Sequence, residues 1–518
     1  MLTSDILRLS AERHPNKTAF IYGTRLMTYG EVSQFANRFA NGLMNCGISI
    51  GDTWAIMSRN SPEYAISNFG GSQTGGLLVN LLPAYAADEI VAILNKTKVR
   101  LIVVEEIFQE KISNIIDRLP DLETVVVIGQ PGHDGWIPFD RFIADKSDRN
   151  NDLGLSENAP FAMTFTGGTT GLPKGAMVSH QARFVSTYTT AIEHGVTETD
   201  VVGMITPFYH AMGSLVWLPT AMYVGATAVM FDGWDPDDFT MQTEQHGITC
   251  SFMVPIQLRE LLTDGHFDPK RLKTLKNIAC GGATTPPGLV SDVNEKMPNT
   301  LFTNHYGQSE TGPICFYKPS HPRKFANTVG RKAIGVELDI VDKNGNSVDV
   351  DESGEIIVRG PFLMTGYYDD PKETDDYFRK NDGWGWTGDL ARRDKDGFIT
   401  LVGRSKDMIV SGGVNIYPRE VEIVLENHPS IVDCTVFGIP DKRWGEALVA
   451  YIVTRDENTP HTEDILNHCT EYLARFKRPK IVRIVDKIPK TPSGKVQKLK
   501  LRETFLKEYK TRGPFDKL

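Results

Sequence analysis

Wholly apolar short runs alternate with stretches of helical period over the first 330 residues, and that alternation leaves few folds open. "VRLIVVEE" (99–106) and "ETVVVIG" (123–129) read as strands buried on both faces. "TYGEVSQFANRFANGLMNCG" (28–47) places apolar residues at helical spacing and stops at Gly47. Strands buried on both faces need cover on both sides, so stacked α/β layers are expected. At 518 residues the chain outgrows one ordinary core, and two or more domains follow.

The texture changes twice. From Gly335, "GVELDIVDKNGNSVDVDESGEIIVRG" alternates with period two and carries turn signals at Asn344-Gly345 and Ser353-Gly354, which predicts a β-rich subdomain over about 330–403. After Arg404, "PREVEIVLENHP" and "TEDILNHCTEYLARF" read as helices. "IVDCTVFGI", "EALVAYIVT" and "KIVRIVDKI" read as strands, giving a compact α+β unit. The expected organisation is a large domain over 1–403 and a small one over 407–518, with 404–406 between them.

A formal charge of −9 argues against nucleic acid as a partner. Six cysteines without C-x-x-C spacing read as reduced thiols, neither a zinc site nor a disulfide framework. "MLTSDILRLSAERHPNKTAF" reads as an amphipathic helix, not a signal peptide, and no run of 18 apolar residues spans a membrane. The final "DKL" is not a peroxisomal address, and a cytoplasmic protein is expected.

Chemistry enters with "TFTGGTTGLPKGAMVSH" (164–180), a glycine- and threonine-rich loop between an apolar run and a helix. Close backbone N–H groups and short hydroxyls suit phosphate oxygens. The P-loop pattern fails, because Pro173 precedes Lys174 and Gly175 follows it. The G-x-G-x-x-G fingerprint fails on spacing. Further along, "NHYGQSETG" (304–312) places Glu310 among hydroxyls, where it could hold Mg²⁺ against phosphates. Asp389 and Arg404 flank the domain junction, suited to ribose hydroxyls and to phosphate. "PKTPSGK" (489–495) puts Lys495 on a Pro/Gly turn.

These stretches, in this order and spacing, resemble the signature set of the adenylate-forming superfamily of acyl-CoA synthetases, peptide-synthetase adenylation domains and beetle luciferases. The resemblance covers nearly the whole chain. It implies that the loop Thr166, Gly167, Gly168, Thr169, Thr170, Gly171 and Lys174 wraps the β- and γ-phosphates of ATP, with Gly167 where many members have Ser. Gly281, Gly282 and Ala283 match the segment flanking adenine, and Tyr306 the ring stacked on it. The surrounding Asn304, His305, Gly307, Gln308 and Ser309 belong to the same nucleotide motif, and Ser309 replaces the commoner Thr. Glu310, with Thr166, matches the Mg²⁺ site, Asp389 the ribose carboxylate and Arg404 a phosphate contact. Lys495 matches the lysine that bridges the α-phosphate and the attacking carboxylate, and His210 lies near that carboxylate. Lys406 matches the hinge of a mobile C-terminal domain.

The implied activity is a carboxylic acid–CoA ligase forming acyl-AMP and then acyl-CoA, with a homodimer left open. Gly412 and Gly413 match the pantetheine passage, Trp444 and Phe476 the contacts to the nucleotide of coenzyme A, and Arg478 and Lys480 its phosphates. A carrier-protein adenylating enzyme and a carnitine-type ligase are the alternatives. "TPFYHAMGSLVWLP" (206–219) matches the motif beside the acyl pocket, and Phe208, Tyr209, Met212 and Trp217 point to an apolar wall for an aromatic or medium-to-long aliphatic acid. Malonate-type ligases carry Arg where His305 stands, which counts against a dicarboxylate.

Overall fold

The computed structural model describes residues 1–166, 173–263, 265–283, 285–379, 382–411, 414–441, 443–454, 462–490 and 496–512. Two large sheets organise the first two-thirds of the chain. One runs Gly366–Tyr367, Lys174–Ser179, Pro160–Thr166, Leu77–Asn80, Thr53–Met57, Leu101–Glu105, Thr124–Ile128, Ile137–Pro138. The other runs Arg331–Lys332, Gly312–Tyr317, Leu301–Gln308, Asn277–Cys280, Cys250–Met253, Val201–Met204, Thr227–Met230, Thr18–Tyr22, Arg25–Thr28. Their central strands pair in parallel, as runs without polar alternation require.

Successive residues of those strands enter different cores. Trp54, Ile56, Leu101 and Val103 face a core shared by both sheets, whereas Ala55, Met57, Ile102 and Val104 face an outer one. Helices Tyr29–Asn45, Pro62–Gly71 and His180–His194 contribute Phe39, Tyr64, Phe69 and Ala182 to the shared layer. The first of these helices begins where the sequence places it: Thr28 Oγ1 accepts from the Glu31 N–H at 3.2 Å, and Glu31 Oε2 accepts from the Thr28 N–H at 2.7 Å. Such a reciprocal cap is worth about 1 kcal/mol.

The β-rich segment forms an antiparallel sheet in the order Glu337–Val341, Ser353–Arg359, Gly385–Arg393, Ile399–Arg404. Gly345 makes the expected turn, with φ +85°. Ser353-Gly354, read as a turn, instead opens the strand Ser353–Arg359. In the C-terminal unit, the hairpin Ile431–Asp441 and Gly445–Thr454 is covered on both faces. Val421, Leu425, Ile465 and Cys469 pack on one face, and Leu501 and Phe505 on the other. The last two belong to helix Lys498–Arg512, which the sequence reading did not anticipate. Its Lys498 donates to the buried Glu422 at 2.7 Å, tying that helix to helix Pro418–Glu426. Among the described residues no helix is long and apolar enough to cross a membrane.

Candidate active site

Within 164–180 the described residues add a strand before the helix: Thr166 pairs antiparallel with Lys174, and the strand Lys174–Ser179 precedes helix His180–His194. Gly167, Gly168, Thr169, Thr170 and Gly171 lie outside the described residues, as does the Thr166 side chain. Lys174 pairs with Glu373 and lies 5.4 Å over the ring of Tyr367. The Tyr367 hydroxyl donates to Glu310 Oε1 at 2.8 Å. Burial, and then Glu310, push the Tyr367 pKa up, so the phenol keeps its proton. Tyr367 arrives by sheet pairing, since Gly366–Tyr367 runs antiparallel to Met177 and Ala176. Glu373 stands in the first turn of helix Pro371–Tyr377, capped by Asp370. Sequence reasoning missed both. "YYDDPKET" signals a helix start, but nothing in it signals proximity to Lys174.

A second cluster surrounds Asp389, which is buried. Its Oδ2 accepts from the Tyr306 hydroxyl at 2.7 Å and from Gln308 Nε2 at 2.6 Å, and Arg404 Nε reaches Oδ1 at 2.9 Å. Asp389 and Arg404 are direct partners on adjacent strands. That proximity raises the Arg404 pKa. Gly307 could carry no side chain, because a Cβ would meet Gly312 O at 2.0 Å. Ser309 sits in the hairpin turn that ends at Gly312. Asn304 accepts from Thr285 Oγ1 at 3.0 Å and donates to Thr328 O at 3.4 Å.

His305 points away from its neighbour Tyr306, into the shared core. Its ring stacks on Phe252 at 4.8 Å, and its Nδ1 lies 3.2 Å from His194 Nε2. Gly281 leaves room for that ring, since a Cβ there would lie 2.5 Å from His305 Cδ2. Gly282 and Ala283 follow, Gly282 with φ +78°.

Burial depresses the His305 pKa to about 3 and that of buried His180 to about 4, and drives His194 well below its ordinary value. All three are neutral when folded and basic near 6.5 when unfolded. Between pH 6.5 and 4 the unfolded chain therefore binds more protons, so stability is full above that window and is lost as pH falls through it. His180 alone should cost about 3 kcal/mol across it. Urea unfolding at pH 7 and at pH 4.5 measures this, and equal midpoints would contradict the buried neutral state.

His210 caps a π-helical turn, Ala211–Trp217, a geometry common at functional sites. Asn60 Oδ1 accepts from the Phe208 N–H at 2.7 Å, and the Tyr64 hydroxyl donates to Phe208 O at 3.0 Å, which fixes the segment entering it. The expected apolar wall needs correction here. Phe208 and Trp217 are fully buried core residues, and of the four only Tyr209 and Met212 are half-buried. Tyr209 lies 4.9 Å from the His210 ring.

In the C-terminal unit, Lys495, Gly412 and Gly413 lie outside the described residues. Lys406 is exposed on the turn Ser405–Asp407, two positions beyond Arg404. Trp444 and Phe476 are exposed, and Lys480 Nζ lies 5.8 Å over the Trp444 ring. Arg478 donates to Leu473 O at 2.9 Å and to Thr470 O at 3.1 Å, so it closes helix Thr462–Tyr472 rather than standing free beside Trp444.

Layered α/β sheets and a carboxylate–tyrosine–arginine cluster accord with an adenylate-forming enzyme, and comparison with known proteins shows it to be one. The chain belongs to the AMP-binding enzyme family: the model of that family matches residues 7–368, and that of the AMP-binding enzyme C-terminal domain matches 420–495. It is 31% identical to the indoleacetate–CoA ligase of Aromatoleum aromaticum, over 98% of this chain and 100% of that protein. It is 30% identical to the medium-chain fatty-acid–CoA ligase of Escherichia coli, over 97% and 90% of the two chains. Among solved structures, the anthranilate CoA ligase AuaEII in complex with anthranoyl-AMP superposes with a TM-score of 0.91 at 26% identity, covering 98% of each chain.

Proposed function

We propose that this enzyme is a carboxylic acid–CoA ligase acting on an aromatic or a medium-to-long aliphatic acid. One observation carries the reading: the Tyr306–Gln308–Asp389–Arg404 cluster and the Lys174–Tyr367–Glu310 cluster meet in one segment, Gln308 and Glu310 lying two residues apart, and Asp389 and Glu310 both act on Arg404. Asp389 binds the ribose hydroxyls and Tyr306 stacks on adenine, with Gly281 to Ala283 behind it. Lys174 leaves Glu373 for the β- and γ-phosphates, joined by the hydroxyls of 166–170.

Mg²⁺ fits the donors present. Glu310 is a half-buried carboxylate, and the described residues contain no group of three or more His, Cys, Asp or Glu side chains that could hold a metal. That donor set suits an ion held chiefly by phosphate oxygens. Glu310 and Thr166 would hold it, and when bound it supplies positive charge against those oxygens.

The acid's carboxylate, placed beside His210, attacks the α-phosphorus; the bond to pyrophosphate breaks and acyl-AMP forms. Lys495 neutralises charge on the transferring group. The thiol of coenzyme A then attacks the acyl carbon, AMP departs and the thiol proton is released. Exposed Trp444 and Phe476, with Lys480, form a surface on which the coenzyme A base can stack, and Gly412 and Gly413 leave room for its arm. A turn about Lys406 lets one small domain, from about residue 407, serve both steps.

Incubation with ATP, coenzyme A and a panel of carboxylic acids, read by mass, should give AMP and acyl-CoA. Adenylate without thioester would favour carrier-protein charging, turnover of quaternary-ammonium acids alone would favour the carnitine-type reading, and no product from any acid would end the ligase reading. Glu310→Gln should raise the Mg²⁺ requirement of adenylation about tenfold or more while sparing thioester formation from supplied acyl-AMP. An unchanged Mg²⁺ titration would move the metal elsewhere.

A further inference from the structure

Helix His180–His194 turns a polar face into the layer between the two large sheets. Arg183, Thr187, Thr190 and His194 fall at i, i+4, i+7 and i+11, a single stripe along the helix. Arg183 is 3% exposed, Thr187 and Thr190 0%, and His194 5%. Yet among the described residues Arg183 Nε and Nη1, both threonine hydroxyls and His194 Nδ1 have no hydrogen-bond partner.

The facing turn Ala211–Trp217 adds Trp217 Nε1, also without a partner among the described residues, and the Trp217 ring stands edge-on to His194 at 5.5 Å. His305 Nε2, equally unpartnered, ends the seam against Gly281. Native interiors keep few such atoms, and a buried cation without a counter-ion is the costliest kind. Burial lowers the Arg183 pKa only to about 9, so it stays charged at neutral pH, and among the described residues no carboxylate acts on it. Elsewhere the chain does match a buried arginine: Arg419 meets Glu426 through two hydrogen bonds, at 2.6 and 2.8 Å.

We infer that this seam receives the far end of the acid substrate, and that this end carries a second anionic group of the carboxylate type. The inference rests on the acid–CoA ligase reading and narrows it. Arg183 supplies the opposing charge, and Thr187 and Thr190 donate hydrogen bonds.

The test compares acids of matched length with one and with two carboxylates, in the parent enzyme and in Arg183→Met. The parent should prefer the diacid. Arg183→Met should lower kcat/KM for the diacid roughly 30-fold or more, as loss of one partner of a buried charge pair does. The monoacid should stay within about threefold, and Arg183→Lys should recover part of the loss. Thr190→Val, nearly isosteric, gives the same selective loss on a smaller scale should Arg183→Met fail to fold by urea titration. If the parent uses monoacids and neither substitution alters the diacid-to-monoacid ratio, the seam holds ordered water only; the inference is then wrong and the ligase reading stands. If no acid yields acyl-AMP or acyl-CoA, the ligase reading fails and this inference with it.

Discussion

Lys495→Ala should lower acyl-AMP formation by roughly a thousandfold or more while leaving conversion of supplied acyl-AMP and coenzyme A to thioester close to the parental rate. Phosphoryl transfer is mostly positioning and charge stabilisation, so removing a cation poised on the α-phosphate acts on the first step. In the second step the bonds made and broken are at the acyl carbon, and the proposed turn about Lys406 would carry Lys495 away from the α-phosphate. The variant should still bind ATP through Lys174, Tyr306 and Asp389, which remain in place, so the loss should fall on kcat. Quenched-flow measurement of pyrophosphate release against a separate thioester assay distinguishes the two half-reactions. Equal damage to both would remove Lys495 from its assigned role.

Lys406→Pro and Gly413→Leu should each stop the enzyme after adenylation. Proline fixes φ near −65° and restricts the residue before it, so a rotation absorbed near Lys406 would be blocked. Leucine at 413 leaves rotation free but fills the space proposed for the pantetheine arm. Both variants should hold acyl-AMP and lose acyl-CoA formation about a hundredfold or more, since misplacement of a reacting group by 1 Å already costs about that much. They should differ in protease accessibility of residues 404–413, because only the proline locks the backbone. A single-turnover reaction chased with coenzyme A decides the matter, and parental transfer by Gly413→Leu would remove the passage from that position.

Much of the fold is legible in the sequence because it is written locally. Thr28 and Glu31 mark a helix start, and the doubly buried strands read as unbroken apolar runs. What escapes is non-local or compositional. The strand Lys174–Ser179 is short and opens with a charged residue and a glycine. Helix Lys498–Arg512 is strongly charged, and the features that hold it are Leu501, Phe505 and the Lys498–Glu422 bond. In the candidate site, Tyr306, Asp389 and Arg404 stand out as motif residues, whereas Tyr367 and Glu373 reach Lys174 through strand pairing and a helix cap distant in sequence. Arg183 is hidden for the opposite reason. In an amphipathic helix an arginine reads as solvent-facing, and only packing distant in sequence makes it interior.

The ion pair between Asp389 and Arg404 gives the proposed ligase a form of clutch. Oδ2 of Asp389 is already engaged by Tyr306 and Gln308, so a ribose hydroxyl would take the acceptor site that Oδ1 has left beside Arg404 Nε. Arg404 ends the strand that leads directly into Lys406. On the proposed reading, nucleotide arrival and the first link of the turning segment would therefore meet at one oxygen atom. Coupling of this kind is reciprocal: whatever factor ribose lends to domain rotation, rotation must return to ribose affinity. A rotated small domain that presents coenzyme A would then loosen or tighten its hold on AMP by that same factor, so departure of the spent nucleotide and resetting of the domain would proceed as one event.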